Sequence, residues 1–134
     1  MKTIAGIAIG LSLAFGIISV FTLVNIIIWP LPEKVDPMAS DPVSRQAIAE
    51  HVTALPLSSK LITSIGHIIA AFSAGFVAVW MSESAWLPGI IVAAALTSLA
   101  AITAVALPGF FWLLAALLTP ASMIGAYFGL RMVK

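Results

Sequence analysis

The chain has 134 residues, of which 62% are hydrophobic and 8% charged, with a mean hydropathy of +1.18. Soluble domains run at roughly 45–50% apolar and about 25% charged, so this composition argues against a soluble enzyme or nucleic-acid-binding domain. A net charge of +1 supplies no basic field for nucleic acid, and the absence of cysteine removes disulfides, thiolate metal sites and cysteine nucleophiles. What remains is an integral membrane protein.

Four apolar segments, at about 3–29, 57–81, 87–107 and 110–130, are punctuated by proline and glycine. A helix needs about 20 residues to cross a hydrocarbon core of roughly 30 Å, and each segment has them. The sequence therefore predicts an all-α, integral membrane four-helix bundle forming a single domain over 1–134. The first segment, Thr3 to Trp29, carries no charge. It reads as a retained span, because the apolar run is too long for a signal peptide and no A-x-A-like cleavage site precedes the polar loop. Asn25 lies near its end, at the interface.

The outer loop, 30–56, is the one stretch able to build structure outside the lipid. Asp41-Pro42 reads as an N-cap followed by proline at the first helical position. A short amphipathic helix at about 42–55 follows, with Val43, Ala47, Ile48, Val52 and Leu55 on one side and Arg45, Gln46, Glu50 and Thr53 on others. It is expected to rest at the headgroup level. Lys60, at the start of the second span, is expected to reach the headgroups, and His51 belongs to the outer loop. Pro108-Gly109 joins the last two spans as a tight hairpin.

Helix association in lipid depends on close packing, because burying apolar surface gains little among apolar tails. The sequence carries small residues at the required spacing: Gly6 and Gly10 in span one, Gly66, Ala70 and Ala74 with Gly75 in span two, and Gly125 and Gly129 in span four. These faces pack the bundle, and those on spans one and four are expected to be left over for a partner or a second copy. Leu118 is expected to face lipid. Trp29, Trp80, Trp86 and Trp112 lie near span boundaries as interface anchors.

No Asp, Glu or Arg lies in the middle of any span, and His67 is the ionisable group at depth. Ionisable side chains inside the membrane mark ion and substrate paths. Counted inward from the outer face, His67, Ser19, Ser98, Thr119 and Pro120 all fall about 15 Å deep by helical rise. Pro120 frees the carbonyl of Ala116. These residues are the candidate midplane polar layer, either locking helices together or contacting a substrate. The sequence offers no catalytic set, no metal site and no cofactor site.

Thr53-Ala54-Leu55-Pro56 followed by Gly66-His67-x-x-x-Ala71-Phe72-x-x-Gly75-Phe76 resembles an uncharacterised group of small bacterial membrane proteins with four spans. That group carries a glycine pair where Ala74-Gly75 stands and an arginine near Trp80, and this chain has neither. The resemblance implies a bacterial inner-membrane location and no activity. Small multidrug exporters fit poorly, because they depend on a glutamate that the first span lacks.

Lys2, Arg131 and Lys134 flank the terminal side, and Lys34, Arg45 and Lys60 the outer side. The first three lie tight against span ends, which favours termini in the cytoplasm. The functional expectation is a non-enzymatic membrane protein acting by helix association. It would serve as an accessory subunit of a membrane complex or as a homo-oligomer, with the bilayer and another membrane protein or a second copy as partners and no nucleic acid. The alternative is a minimal dimeric transporter or channel lined by His67 and the Pro120 break.

Overall fold

Long uninterrupted apolar runs have only one way to satisfy their backbone groups in lipid, which is to hydrogen-bond within the segment as helix. The computed structural model describes residues 1–33, 35, 41–82, 86–106 and 110–133. Its elements are α1 (Lys2–Ile28), α2 (Pro42–Ala54), α3 (Leu57–Ser82), α4 (Leu87–Ala106) and α5 (Phe110–Val133). All but α2 are long and apolar enough to cross a membrane. The architecture is thus all-α, four membrane-capable helices with a short amphipathic helix in the first connection. The turn at Pro108-Gly109 and the charges of Lys34, Asp36 and Lys134 lie outside the described residues.

Helix α3 is the axis of the bundle. α1 lies antiparallel to it on one side and α5 parallel to it on the other, while α4 packs on α5 and α3 and only lightly on α1. Glycine makes these approaches possible. A Cβ at Gly10 would sit 2.7 Å from the Ala74 carbonyl oxygen, and one at Gly6 would sit 2.7 Å from that of Ala78. On the other side, Gly125 faces the Phe72 carbonyl, Gly75 faces that of Ser122, and a Cβ at Gly129 would lie 2.5 Å from the Phe76 oxygen. Gly66 meets the ring of Phe21 instead.

This overturns the expectation that the small faces of spans one and four are free for a partner. Gly6, Gly10, Gly125 and Gly129 are all turned to α3 within the same chain, because α3 presents small residues on both of its sides. Ala70 and Ala74 complete those sides and are fully buried. Leu118 likewise does not face lipid. It is 3% exposed and belongs to the core with Leu96 and Leu114. Ser122, wholly buried against Gly75, has no hydrogen-bond partner for its hydroxyl among the described residues.

Gly16 behaves differently, since nothing lies within 4 Å of the place a Cβ would take. Alanine should therefore have opposite effects at two glycines of equal helical cost. Gly125→Ala forces backbone apart and should destabilise the fold by about 1–3 kcal/mol, whereas Gly16→Ala should gain up to about 1 kcal/mol from helix propensity. Unfolding titrations in mixed detergent micelles measure both. Equal effects at the two sites would mean that α5 does not approach α3 through Gly125.

Candidate functional site: a cleft between two histidines

The inward positions of α1 grow along its length, from Gly6, Gly10 and Ala14, all buried, to Ile17, Ile18, Phe21 and Asn25. Small residues seat α1 backbone to backbone on α3 at the terminal end, and larger ones meet it through their side chains at the outer end, where Phe21 packs on Gly66. Hydrogen bonds join the two helices there. The Asn25 amide Nδ2 donates to the Ser59 carbonyl at 3.3 Å and to Thr63 Oγ1 at 2.6 Å, and Ser59 Oγ donates back to Asn25 Oδ1 at 2.9 Å. The Ser59 carbonyl only accepts, which fixes the amide's orientation. Thr63 Oγ1 also donates to the Ser59 carbonyl at 3.1 Å. Asn25 is therefore a clamp between α1 and α3 as well as an interfacial residue.

The C-terminal end of helix α2 lies beside this end. The Asp41 carboxylate accepts from the Ser44 backbone N–H at 2.9 Å, and Pro42 opens the helix. Lys60 Nζ reaches the Thr53 carbonyl at 3.1 Å, putting a cation on one of the last carbonyls of α2. Lys60 thereby ties the end of α2 to the start of α3. Ala47, Ile48, His51, Val52 and Leu55 are half-buried, while Val43 is exposed. The inner face of α2 thus includes His51 and omits Val43.

Three cavities run inward from α2 as a chain. The outermost, about 270 Å³, lies among Ile28, Trp29, Pro30, His51 and Leu55. The next, about 280 Å³, is bounded by Ile18, Thr22, Asn25, Trp29, His51, Thr63 and His67. The innermost, about 210 Å³, is lined by Phe15, Ile18, His67, Leu96, Leu99, Ala100, Thr103, Leu114 and Leu118. Trp29 and His51 wall both of the first two, and Ile18 and His67 wall both of the last two. Each junction carries a histidine.

His67 is half-buried, and its Nδ1 lies 2.8 Å from the Thr63 carbonyl oxygen, one turn earlier on its own helix. A carbonyl accepts only, so Nδ1 carries the proton and Nε2 is the nitrogen left for a ligand. The candidate polar layer is not assembled around it. Ser19, Ser98, Thr119 and Pro120 are exposed, and Thr119 Oγ1 pairs with Thr97 Oγ1 at 2.8 Å between α5 and α4. The shared depth read from the sequence is a coordinate along the helices only, and these side chains leave their helices in other directions. The side chains gathered with His67 are Thr22, Asn25, Thr63 and His51.

His51 is not legible as a cleft residue from apolar periodicity, because an imidazole carries no hydropathy signal. Its three-residue spacing from Ile48 and four-residue spacing from Leu55 place it on the same face. Of the four tryptophans, Trp29 is half-buried in the cleft wall. Trp80, Trp86 and Trp112 are more exposed, with Trp86 stacked on Tyr127 at 6.3 Å and Trp80 on Phe76 at 6.2 Å between ring centroids. Comparisons with protein-family models, curated proteins and solved structures return no match, so the site's chemistry carries the functional argument.

The α2 cap has a pH dependence with a definite sign. The Ser44 backbone N–H, helped by the Ser44 hydroxyl, holds the Asp41 carboxyl below the usual carboxylate range. A carboxyl depressed by folding stabilises the fold fully above its unfolded pKa, and that contribution disappears as pH falls through the folded value. Protection factors of α2 amides from hydrogen exchange should fall in acid below the ordinary carboxylate range. Asp41→Asn should keep the cap and remove the pH dependence, and an unchanged acid profile in that variant would show that Asp41 is not the titrating group.

Proposed function

We propose that this chain is a minimal membrane carrier that admits a small molecule from its outer face into the bundle through the cleft between His51 and His67, with its termini in the cytoplasm. The observation that carries this reading is that the three cavities adjoin, each sharing a histidine wall with the next. An intramembrane histidine with one committed nitrogen and one available nitrogen suits a substrate contact. The Pro120 break lies on the exposed side of α5 and has no part in this path. The chemistry asked of the protein is binding and passage, with no bond made or broken.

The chain has no cysteine, so single cysteines report water access directly. Thr22→Cys, on the cleft, should react with a small charged methanethiosulfonate added from the outer side. Val20→Cys and Leu23→Cys, which flank it on exposed apolar faces of the same helix, should stay unlabelled in the bilayer. Equal reaction at the three sites, or none at Thr22→Cys, would remove the cleft as a water-accessible route.

A second reading rests on α1. Ala5, Ala8, Ser12, Gly16 and Ser19 are all exposed and follow one another at three- and four-residue steps, opposite the face that packs on α3. Small residues facing lipid let a second helix approach closely, which favours association of two copies through α1. Native mass spectrometry from lipid nanodiscs should then show a dimer, and Gly16→Leu should convert it to a monomer. A monomeric wild type would end this reading.

A further inference from the structure

We infer that the cleft takes a neutral amphiphile with a hydroxyl head and a hydrocarbon tail, a lipid alcohol, its hydroxyl donating to His67 Nε2 and its tail lying in the innermost cavity. This deepens the carrier reading and rests on it. Most hydrogen-bonding groups around the cleft are already used within the protein. Both amide hydrogens of Asn25 go to Ser59 and Thr63, and the Thr63 hydroxyl hydrogen goes to the Ser59 carbonyl. His67 spends its Nδ1 hydrogen on the Thr63 carbonyl.

Asn25, Thr63 and His67, which line the middle cavity beside Thr22 and His51, have therefore committed their donors within the protein. What they still offer are lone pairs, on His67 Nε2 and on the second acceptor site of Asn25 Oδ1. At His67, the junction with the innermost cavity, a ligand head must bring the hydrogen. Thr22, whose hydroxyl makes no hydrogen bond among the described residues, supplies a group that either donates or accepts on the way in.

Charge narrows the class further. Among the described residues, no Asp, Glu, Lys or Arg lines the middle or innermost cavity. An ammonium head would be buried without a counter-ion, and a carboxylate head would bring no hydrogen for His67 Nε2 and find no arginine or lysine. Both are costly at membrane depth. A neutral hydroxyl satisfies the acceptors at no such cost.

The innermost cavity decides the rest of the molecule. Seven of its nine lining residues are Phe15, Ile18, Leu96, Leu99, Ala100, Leu114 and Leu118, and Thr103 turns its hydroxyl to the Leu99 carbonyl of its own helix at 3.0 Å. No polar group there remains to be satisfied except through His67, so an apolar tail is what fits. Its head lies at the His67 junction, and the middle and outer cavities, with Trp29 and His51 at the interface end, form the way in.

Photo-crosslinking of the full-length protein in liposomes tests this with three probes of one chain length: a diazirine-bearing dodecanol, the matching fatty acid and the matching alkylamine. The alcohol should crosslink to α1, α3 and α4 segments bordering the innermost cavity, and unlabelled dodecanol should compete. The acid and the amine should label these segments about tenfold less. His67→Leu should lower crosslinking about tenfold, the worth of one hydrogen bond to an otherwise orphaned group, and His67→Gln, which keeps an acceptor, should restore most of it. Ala100→Phe, which fills the tail cavity and leaves the histidine in place, should lower crosslinking by the diazirine-bearing dodecanol about tenfold and leave that by a diazirine-bearing butanol unchanged.

Preferential labelling by the acid or the amine overturns the ligand class while leaving the carrier reading standing. The carrier reading itself fails on cysteine access at Thr22, a measurement independent of any lipid probe. Labelling by the alcohol that is indifferent to His67→Leu and to Ala100→Phe overturns the assignment of head and tail.

Discussion

The structure depends on backbone-to-backbone approach along α3. In a bilayer there is no reward for hiding leucine from tails that are as apolar as leucine, so helices hold together where atoms touch closely. Gly6 and Gly10 bring α1 onto the carbonyls of Ala78 and Ala74, and Gly75, Gly125 and Gly129 bring α5 onto the other side of the same helix. α3 serves both because Ala70, Ala71, Ala74 and Ala78 leave no side chain long enough to keep a neighbour away. With α1 and α5 both fixed to α3, the position of α4 follows from its packing on α5, through the contact of Gly89 with Ala126 and the Thr97–Thr119 hydrogen bond.

The cleft is the complement of that packing. Where the inward residues of α1 are small the backbones meet, and where they become Ile18, Phe21 and Asn25 the contact passes through side chains, which leaves room beside it. The Asn25–Ser59–Thr63 network pairs donors with acceptors between the two helices at that end. The outer helix ends beside this network, its start capped by Asp41 and its last turn joined to α3 by Lys60. His51 and His67, sixteen residues apart in sequence, border one cavity because the C-terminal end of α2 leads directly into α3.

The fold class was legible because it follows from one-dimensional quantities. Run length against bilayer thickness gave the spans, and Asp41-Pro42 with its apolar spacing gave α2. The small residues were legible as close-approach positions too, yet their partners were not. Gly6-x-x-x-Gly10 is compatible with a neighbour from the same chain or another, since glycine permits approach without specifying to what. The outward run of Ala8, Ser12 and Gly16 has the same spacing as the inward one, and only the fold distinguishes the two. Leu118 shows the same limit, as leucine is equally at home against lipid or in the core.

Hydropathy and punctuation by themselves determined that this chain is a multi-pass membrane protein with a short interfacial helix and with its ionisable groups kept almost wholly out of the spans. That much is fixed by length, composition and order along the chain. The tertiary structure decided which side chains share a site. Depth aligned His67 with Ser19, Ser98 and Thr119, but a helix also has an azimuth. The rotation that seats its glycines on α3 turns Ser19 outward and leaves Ile18, Thr22 and Asn25 lining the cleft beside His67.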